Sequence, residues 1–179
     1  MWRVHRHIGM GGDQFVKAVC GEQVEGRLGD ELRDASKEEF APLRDECEPL
    51  EGAKELIEAL KERGFVVVLA SSSNEDDLDH FLDLLDVREL VDGWTNADDV
   101  ERTKPHPDVV HAALAKAGTK QGVFLGDSRW DIEAAANAGL ETVCVITGGW
   151  SEQELRDHGA VAVFDSLVAL REGLDGTLV

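Results

Sequence analysis

Basic residues are scarce in this chain of 179: 18 Lys and Arg stand against 37 Asp and Glu, a formal charge of −19. Such a surplus repels phosphate backbones and anionic headgroups, which argues against nucleic acid or a charged membrane surface as partner. Cysteine is nearly absent as well. Cys20, Cys47 and Cys144 are odd in number, far apart and without metal-ligand spacing, so neither a disulfide framework nor a zinc site is expected. Reduced, buried thiols in a cytoplasmic protein are the expectation. No apolar run approaches the roughly 20 residues that cross a bilayer, and the opening "MWRVHRHIG" is no signal peptide. Internal repeats and low-complexity segments are missing too. What is present, 42% apolar and 31% charged residues, suits one globular domain or one domain with a small appendage.

Two textures divide the chain. Residues 1–50 read as helical throughout, with sparse apolar residues at helical spacing and no strand-like run. Pro49 and Gly52 then punctuate "CEPLEGA". Residues 51–179 alternate between helix and strand. "AKELIEALKERG" is an amphipathic helix stopped by Gly64, and "FVVVLA" is a continuous apolar run suited to a strand buried on both faces. "EDDLDHFLDLL", "PDVVHAALAKAG", "RWDIEAAANAG", "SEQELRDHG" and "DSLVALREG" are further helices. Between them lie the strands "VDGWT", "GVFLG", "ETVCVIT" and "AVAVF". This alternation predicts an α/β fold: a parallel sheet covered by helices on both faces.

In such sheets chemistry gathers at the carboxyl ends of strands, which narrows the search to three stretches. In "LGDSRWD", Asp127 and Asp131 are four residues apart where strand gives way to helix, so both carboxylates can stack on one side of the first turn. That pair can hold Mg2+, or Asp127 can cap the helix while Asp131 complements its dipole. In "LASSSNEDD", Ser71 and Ser72 lie at a helix N-terminus, where they can seat an anion or simply cap. In "ERTKPHPD", Lys104 can offset phosphate charge or stay a solvated surface group, and His106 reads as a loop residue.

Taken in order, an apolar strand ending in Ser, then Lys-Pro-x-Pro-Asp, then Gly-Asp-x-x-x-Asp resembles the haloacid dehalogenase-like hydrolase superfamily. More narrowly, it resembles the phosphoglycolate phosphatase and β-phosphoglucomutase-like branch. The resemblance covers residue 50 to the end, and "HRHIGMGGDQFV" is similar to that branch's helical cap. It implies a Rossmann-like core at 51–179 with a partial helical cap at 1–50. It further implies a Mg2+-dependent phosphatase for small phosphorylated metabolites such as phosphoglycolate or sugar phosphates. Ser71, with Ser72, would bind phosphate; Lys104 would stabilise charge shared with the nucleophile; Asp127 would ligate Mg2+, with Asp131 supporting the metal or Lys104. Arg6, Gly11 and Gly12 in the cap segment would help select the substrate, while His5 and His7 read as helix surface. A phosphomutase uses the same core. A phosphonate hydrolase would need a cap lysine, for which only Lys17 and Lys37 are available.

The family's nucleophile is the first Asp of an Asp-x-Asp-Gly-Thr loop after a central strand. No such loop precedes the cap segment, so that strand, between "FVVVLA" and "GVFLG", is expected to be missing and the chain as given shortened and inactive. A non-catalytic module completed by a partner is the alternative expectation. The closing "DGTLV" does not restore the loop. Aligning Asp175 with the motif's second Asp puts Gly173 in the nucleophile's position, so the ending reads as the last helix followed by a frayed tail.

Overall fold

A computed structural model describes residues 2–177. The N-terminal region is helical: α1 (Trp2–His5), α2 (Gly12–Cys20) and α3 (Glu22–Arg44), with the last two packed on each other. A turn at residues 6–11 separates α1 from α2. The alternating region runs α4 (Ala53–Glu62), β1 (Val68–Leu69), α5 (Glu75–Leu85), β2 (Gly93–Trp94), α6 (Asp108–Ala117), β3 (Val123–Gly126) and α7 (Arg129–Asn137). It continues with β4 (Glu141–Val145), α8 (Glu152–Asp157), β5 (Ala162–Phe164), α9 (Leu167–Glu172) and α10 (Leu174–Thr177).

Local chemistry sets the helix ends. Ser128 and Ser151 each form a reciprocal capping box with the acid three residues on, Asp131 and Glu154. Asn74 caps α5 by accepting from Asp77 N at 3.0 Å. Gly118, in the left-handed region at φ 68°, ends α6 where a Cβ would be strained.

All pairing is parallel, but the sheet is in two pieces, β1-β2 and β3-β4-β5. In β4 the side chains alternate. Val143 and Val145 pack with Leu56, Leu170 and Leu174, whereas Cys144 faces Ile132, Trp150 and Leu155. Two helices tie the pieces together. In α4, Leu56 joins the β4 cluster while its neighbour Ile57 joins Leu78, Leu82 and Val87 beside β1 and β2. In α6, Val109 and Val110 pack with Phe124 of β3, with Ala70 beyond β1 against the same cluster. Each such buried side chain contributes about 1.5–3 kcal/mol, so apolar packing joins the pieces where, among the described residues, no strand ladder does.

Three expectations need correction. "FVVVLA" is not a strand buried on both faces: only Val68 and Leu69 are ladder-paired, and Phe65 and Val66 are exposed. Among the described residues β2 is its one ladder partner, and no second ladder covers the run. Of the three thiols only Cys144 is buried; Cys20, at the end of α2, is exposed. The "DGT" ending is not a frayed tail but helix α10. It is anchored by buried Leu174 and by Asp175 Oδ1, which accepts from Arg63 Nη2 at 3.0 Å. Leu178 and Val179 lie outside the described residues.

Candidate active site

The carboxyl end of β3 carries a chain of polar contacts. Lys104 Nζ donates to Asp131 Oδ1 at 2.8 Å, and both side chains are largely buried. Asp131 Oδ2 accepts from Ser128 Oγ at 2.6 Å, Ser128 N at 3.1 Å and Asp127 N at 3.2 Å. Both Asp131 oxygens are therefore occupied. The helix cap is Ser128, not Asp127, which leaves Asp127 at the strand end with Thr147 Oγ1 donating to its Oδ2 at 3.1 Å. Burial, then the negative charge of Asp131, raise the Asp127 carboxyl above its usual range.

Close approaches explain two glycines. A Cβ on Gly126 would run into the Asp131 side chain, and one on Gly148 into the Asp127 backbone. His5, Ile8, Gly9, Asp127, Ser128, Thr147, Gly148 and Gly149 enclose a cavity of about 350 Å³. His5 thus borders the Asp127 cavity, although its position in the sequence pointed only to a helix surface. His7 instead packs on Trp130 at 5.6 Å between ring centroids.

The N-terminal turn closes over this end of the sheet at two points. Arg6 pairs with Glu154, and its guanidinium lies 3.6 Å from the Trp150 ring centroid. Trp130 Nε1 donates to Arg6 O at 3.3 Å. Farther along, Asp13 accepts from the hydroxyl and the N–H of Thr103, the residue before Lys104. Burial works to raise the Asp13 carboxyl, but these bonds and one from Gln14 outweigh it and hold the group below its usual range. Gly11 sits so close to Thr103 that any Cβ would overlap its side chain. Gly12 faces the cap instead, its carbonyl accepting from Arg33 Nη1 of α3 at 3.2 Å.

Ser71 and Ser72 stand at the end of β1, on the other half-sheet, and no hydrogen bond joins them to Lys104 or Asp127 among the described residues. Ser71 is fixed by Thr95, whose Oγ1 accepts from Ser71 N at 2.9 Å and donates to Ser71 O at 2.6 Å. His106 is a loop residue, its N–H donating to Thr103 O at 3.0 Å. Lys17 and Lys37 are exposed and paired with Glu22 and Asp34. Thr95, Ser128 and Thr147 were not singled out in the sequence. The signal for Ser128 was the Ser-x-x-Asp spacing of a capping box; isolated threonines carry no comparable signal. Among the described residues no group of three or more His, Cys, Asp or Glu is arranged to hold a metal ion, and no helix is long and apolar enough to cross a membrane.

Known proteins share this fold. A hydrolase from Pseudomonas syringae superposes with a TM-score of 0.91 at 29% identity, covering 99% of this chain and 83% of that one. CbbY from Rhodobacter sphaeroides, solved with phosphate, shares the fold at a TM-score of 0.71 and 23% identity, covering 90% of this chain and 75% of its own. The pyrophosphatase PpaX of Halalkalibacterium halodurans is 32% identical over 126 residues, 69% of this chain and 56% of that protein. PpaX of Bacillus cereus is 32% identical over 100 residues, 55% of this chain and 46% of its own length. The chain thus spans about half the length of the curated relatives it matches. Residues 2–145 match the haloacid dehalogenase-like hydrolases, and with the motif loops gathered at the strand ends of a parallel α/β fold, the chain belongs to that family.

Proposed function

We propose that this chain carries the phosphate- and Mg2+-handling part of a hydrolase for small phosphate monoesters, glycolate- or sugar-phosphate-like. Pyrophosphate joins the candidates through the name of the PpaX relatives. The reading rests above all on one observation: Lys104 is locked by Asp131 beside an Asp127 that caps nothing. A part-buried ammonium held in place is a ready counter-charge for phosphate oxygens.

The donor set fits a hard cation at one point. Asp127 and Asp131 lie close together with one ammonium, that of Lys104 paired to Asp131, which leaves negative charge to neutralise. Asp127 is assigned as the ligand, and Asp131, with both oxygens engaged, as the support of Lys104. When bound, Mg2+ would withdraw charge from the phosphoryl oxygens. Ser71 donates its hydroxyl to the phosphoryl group, with Ser72 beside it. Helices α1–α3, residues 1–50, act as a partial cap over the core at 51–179. The turn that carries Arg6, Gly11 and Gly12 helps select the substrate, and Arg6 also fastens the cap to the core. In the haloacid dehalogenase-like family a carboxylate attacks phosphorus. The reading assigns that carboxylate to a sixth parallel strand between β1 and β3, whose facing edges are unpaired among the described residues.

The test is turnover of a panel of phosphate monoesters and pyrophosphate, with and without Mg2+, by this chain joined covalently to a strand that carries the nucleophile loop. Mg2+-dependent turnover abolished in Asp127→Asn supports the hydrolase. The divided sheet favours a second reading, a non-catalytic module completed by a partner's strand. It predicts orthophosphate binding without turnover until that strand is supplied.

A further inference from the structure

Thr95 directly follows β2, and its N–H continues the pairing of the small sheet, donating to Leu69 O at 2.9 Å. One step farther its side chain replaces the ladder, bonding both the N–H and the carbonyl of Ser71. A hydroxyl has one proton and two lone pairs, so the proton goes to the Ser71 carbonyl and a lone pair meets the Ser71 N–H. Thr95 is completely buried, and no water competes for these bonds. The Ser71 N–H is consumed and cannot serve a ligand, and its carbonyl is held by the same side chain. The Ser71 hydroxyl differs. Its oxygen accepts from Ser73 N at 3.1 Å, and its proton has no acceptor among the described residues.

From this geometry we infer that Thr95 is a positioning residue: it pins the Ser71 backbone so that the Ser71 hydroxyl presents its proton to a phosphate oxygen. The inference rests on the reading that Ser71 holds the phosphoryl group. A second tether supports it, since Ala97 N donates to Ser73 O at 2.9 Å. The Asn96–Asp99 capping box then stiffens the turn that leads on to Thr103 and Lys104. One segment, residues 95–104, therefore sets the Ser71 loop at its start and Lys104 at its end.

The experiment compares the wild-type chain with Thr95→Val, which keeps the shape and loses the hydroxyl, and Thr95→Ser, which restores it. Two readouts are taken: amide hydrogen exchange at Ser71, and calorimetric affinity for inorganic orthophosphate. Loss of the bond in Thr95→Val is expected to speed Ser71 exchange and weaken phosphate about tenfold each, with both returning in Thr95→Ser. Ser71 exchange unchanged in Thr95→Val overturns the inference. So does faster exchange with phosphate affinity intact, an outcome that leaves the functional reading standing. A wild-type chain that takes up no orthophosphate overturns that reading and the inference with it. If the valine variant does not fold, Thr95→Ala, which leaves room for water beside the Ser71 N–H, carries the same comparison.

Discussion

At the scale of single residues, the site is a contest between burial and charge. Lys104 and Asp131 neutralise each other in a place where neither could stand alone. Removing the ammonium in Lys104→Met leaves Asp131 buried with neutral donors only, and is expected to cost about 3 kcal/mol in urea unfolding. Asp127 runs the other way. Its ionised form is disfavoured by burial and by Asp131, so Asp127→Asn is expected to raise the melting temperature of the metal-free chain at neutral pH while removing its response to Mg2+. Thermal melts with and without Mg2+ check both halves. Cys144 offers an independent check on packing. Burial, reinforced by the charges of Asp131 and Asp127, pushes its thiol up to about 12, so a thiol reagent at pH 8 should modify Cys20 and spare Cys144 until the chain unfolds. The positions of Lys104, Asp127 and Asp131 at strand ends were legible because the strand-to-helix punctuation is strong there. The division of labour between the acids was not: spacing puts two carboxylates near one turn, but only the Ser128 capping box turns Asp131 towards Lys104.

At the scale of elements, the N-terminal turn is held by one partly buried fastening and one exposed one. Stacking of Arg6 on buried Trp150 contributes about 1–2 kcal/mol, and Arg6→Ala is expected to release residues 2–11 to proteolysis before the core unfolds. The Ser151 N–H, then Arg6 and the Ser151 hydroxyl, lower the Glu154 carboxyl from 4.5 to about 2. A depressed acid stabilises the fold above its unfolded pKa and loses that contribution as pH falls through the folded one. Protection of the turn should thus persist at pH 5, decline towards pH 2, and lose this pH dependence in Glu154→Gln. Helix positions followed closely from caps and glycines, α5 and α6 above all. The contacts of the turn did not, because Arg6–Glu154 and Asp13–Thr103 join residues 148 and 90 apart in sequence, where no local pattern reports them.

At the scale of the whole molecule, the parallel α/β architecture was readable from alternation alone, but the division of the sheet was not readable from the apolar runs. "FVVVLA" and "GVFLG" have the composition of fully covered strands, yet Val123 and Leu125 are 46% and 41% exposed. Composition reports what a strand is suited to, and exposure reports what covers it. Exchanging Val123 or Leu125 for Thr should therefore shift stability by no more than about 0.5 kcal/mol, whereas Val143→Ala in β4 should cost about 2 kcal/mol. The central claim is that Ser71, Lys104 and Asp127, drawn from both halves of the sheet, serve one Mg2+-assisted phosphate site. Calorimetric titration of orthophosphate with and without Mg2+ tests it most directly. The account predicts a single phosphate site whose affinity rises with Mg2+ in the wild-type chain, shows no Mg2+ effect in Asp127→Asn, and falls sharply in Lys104→Met. Phosphate affinity that ignores Mg2+, or that survives loss of Lys104, would contradict it.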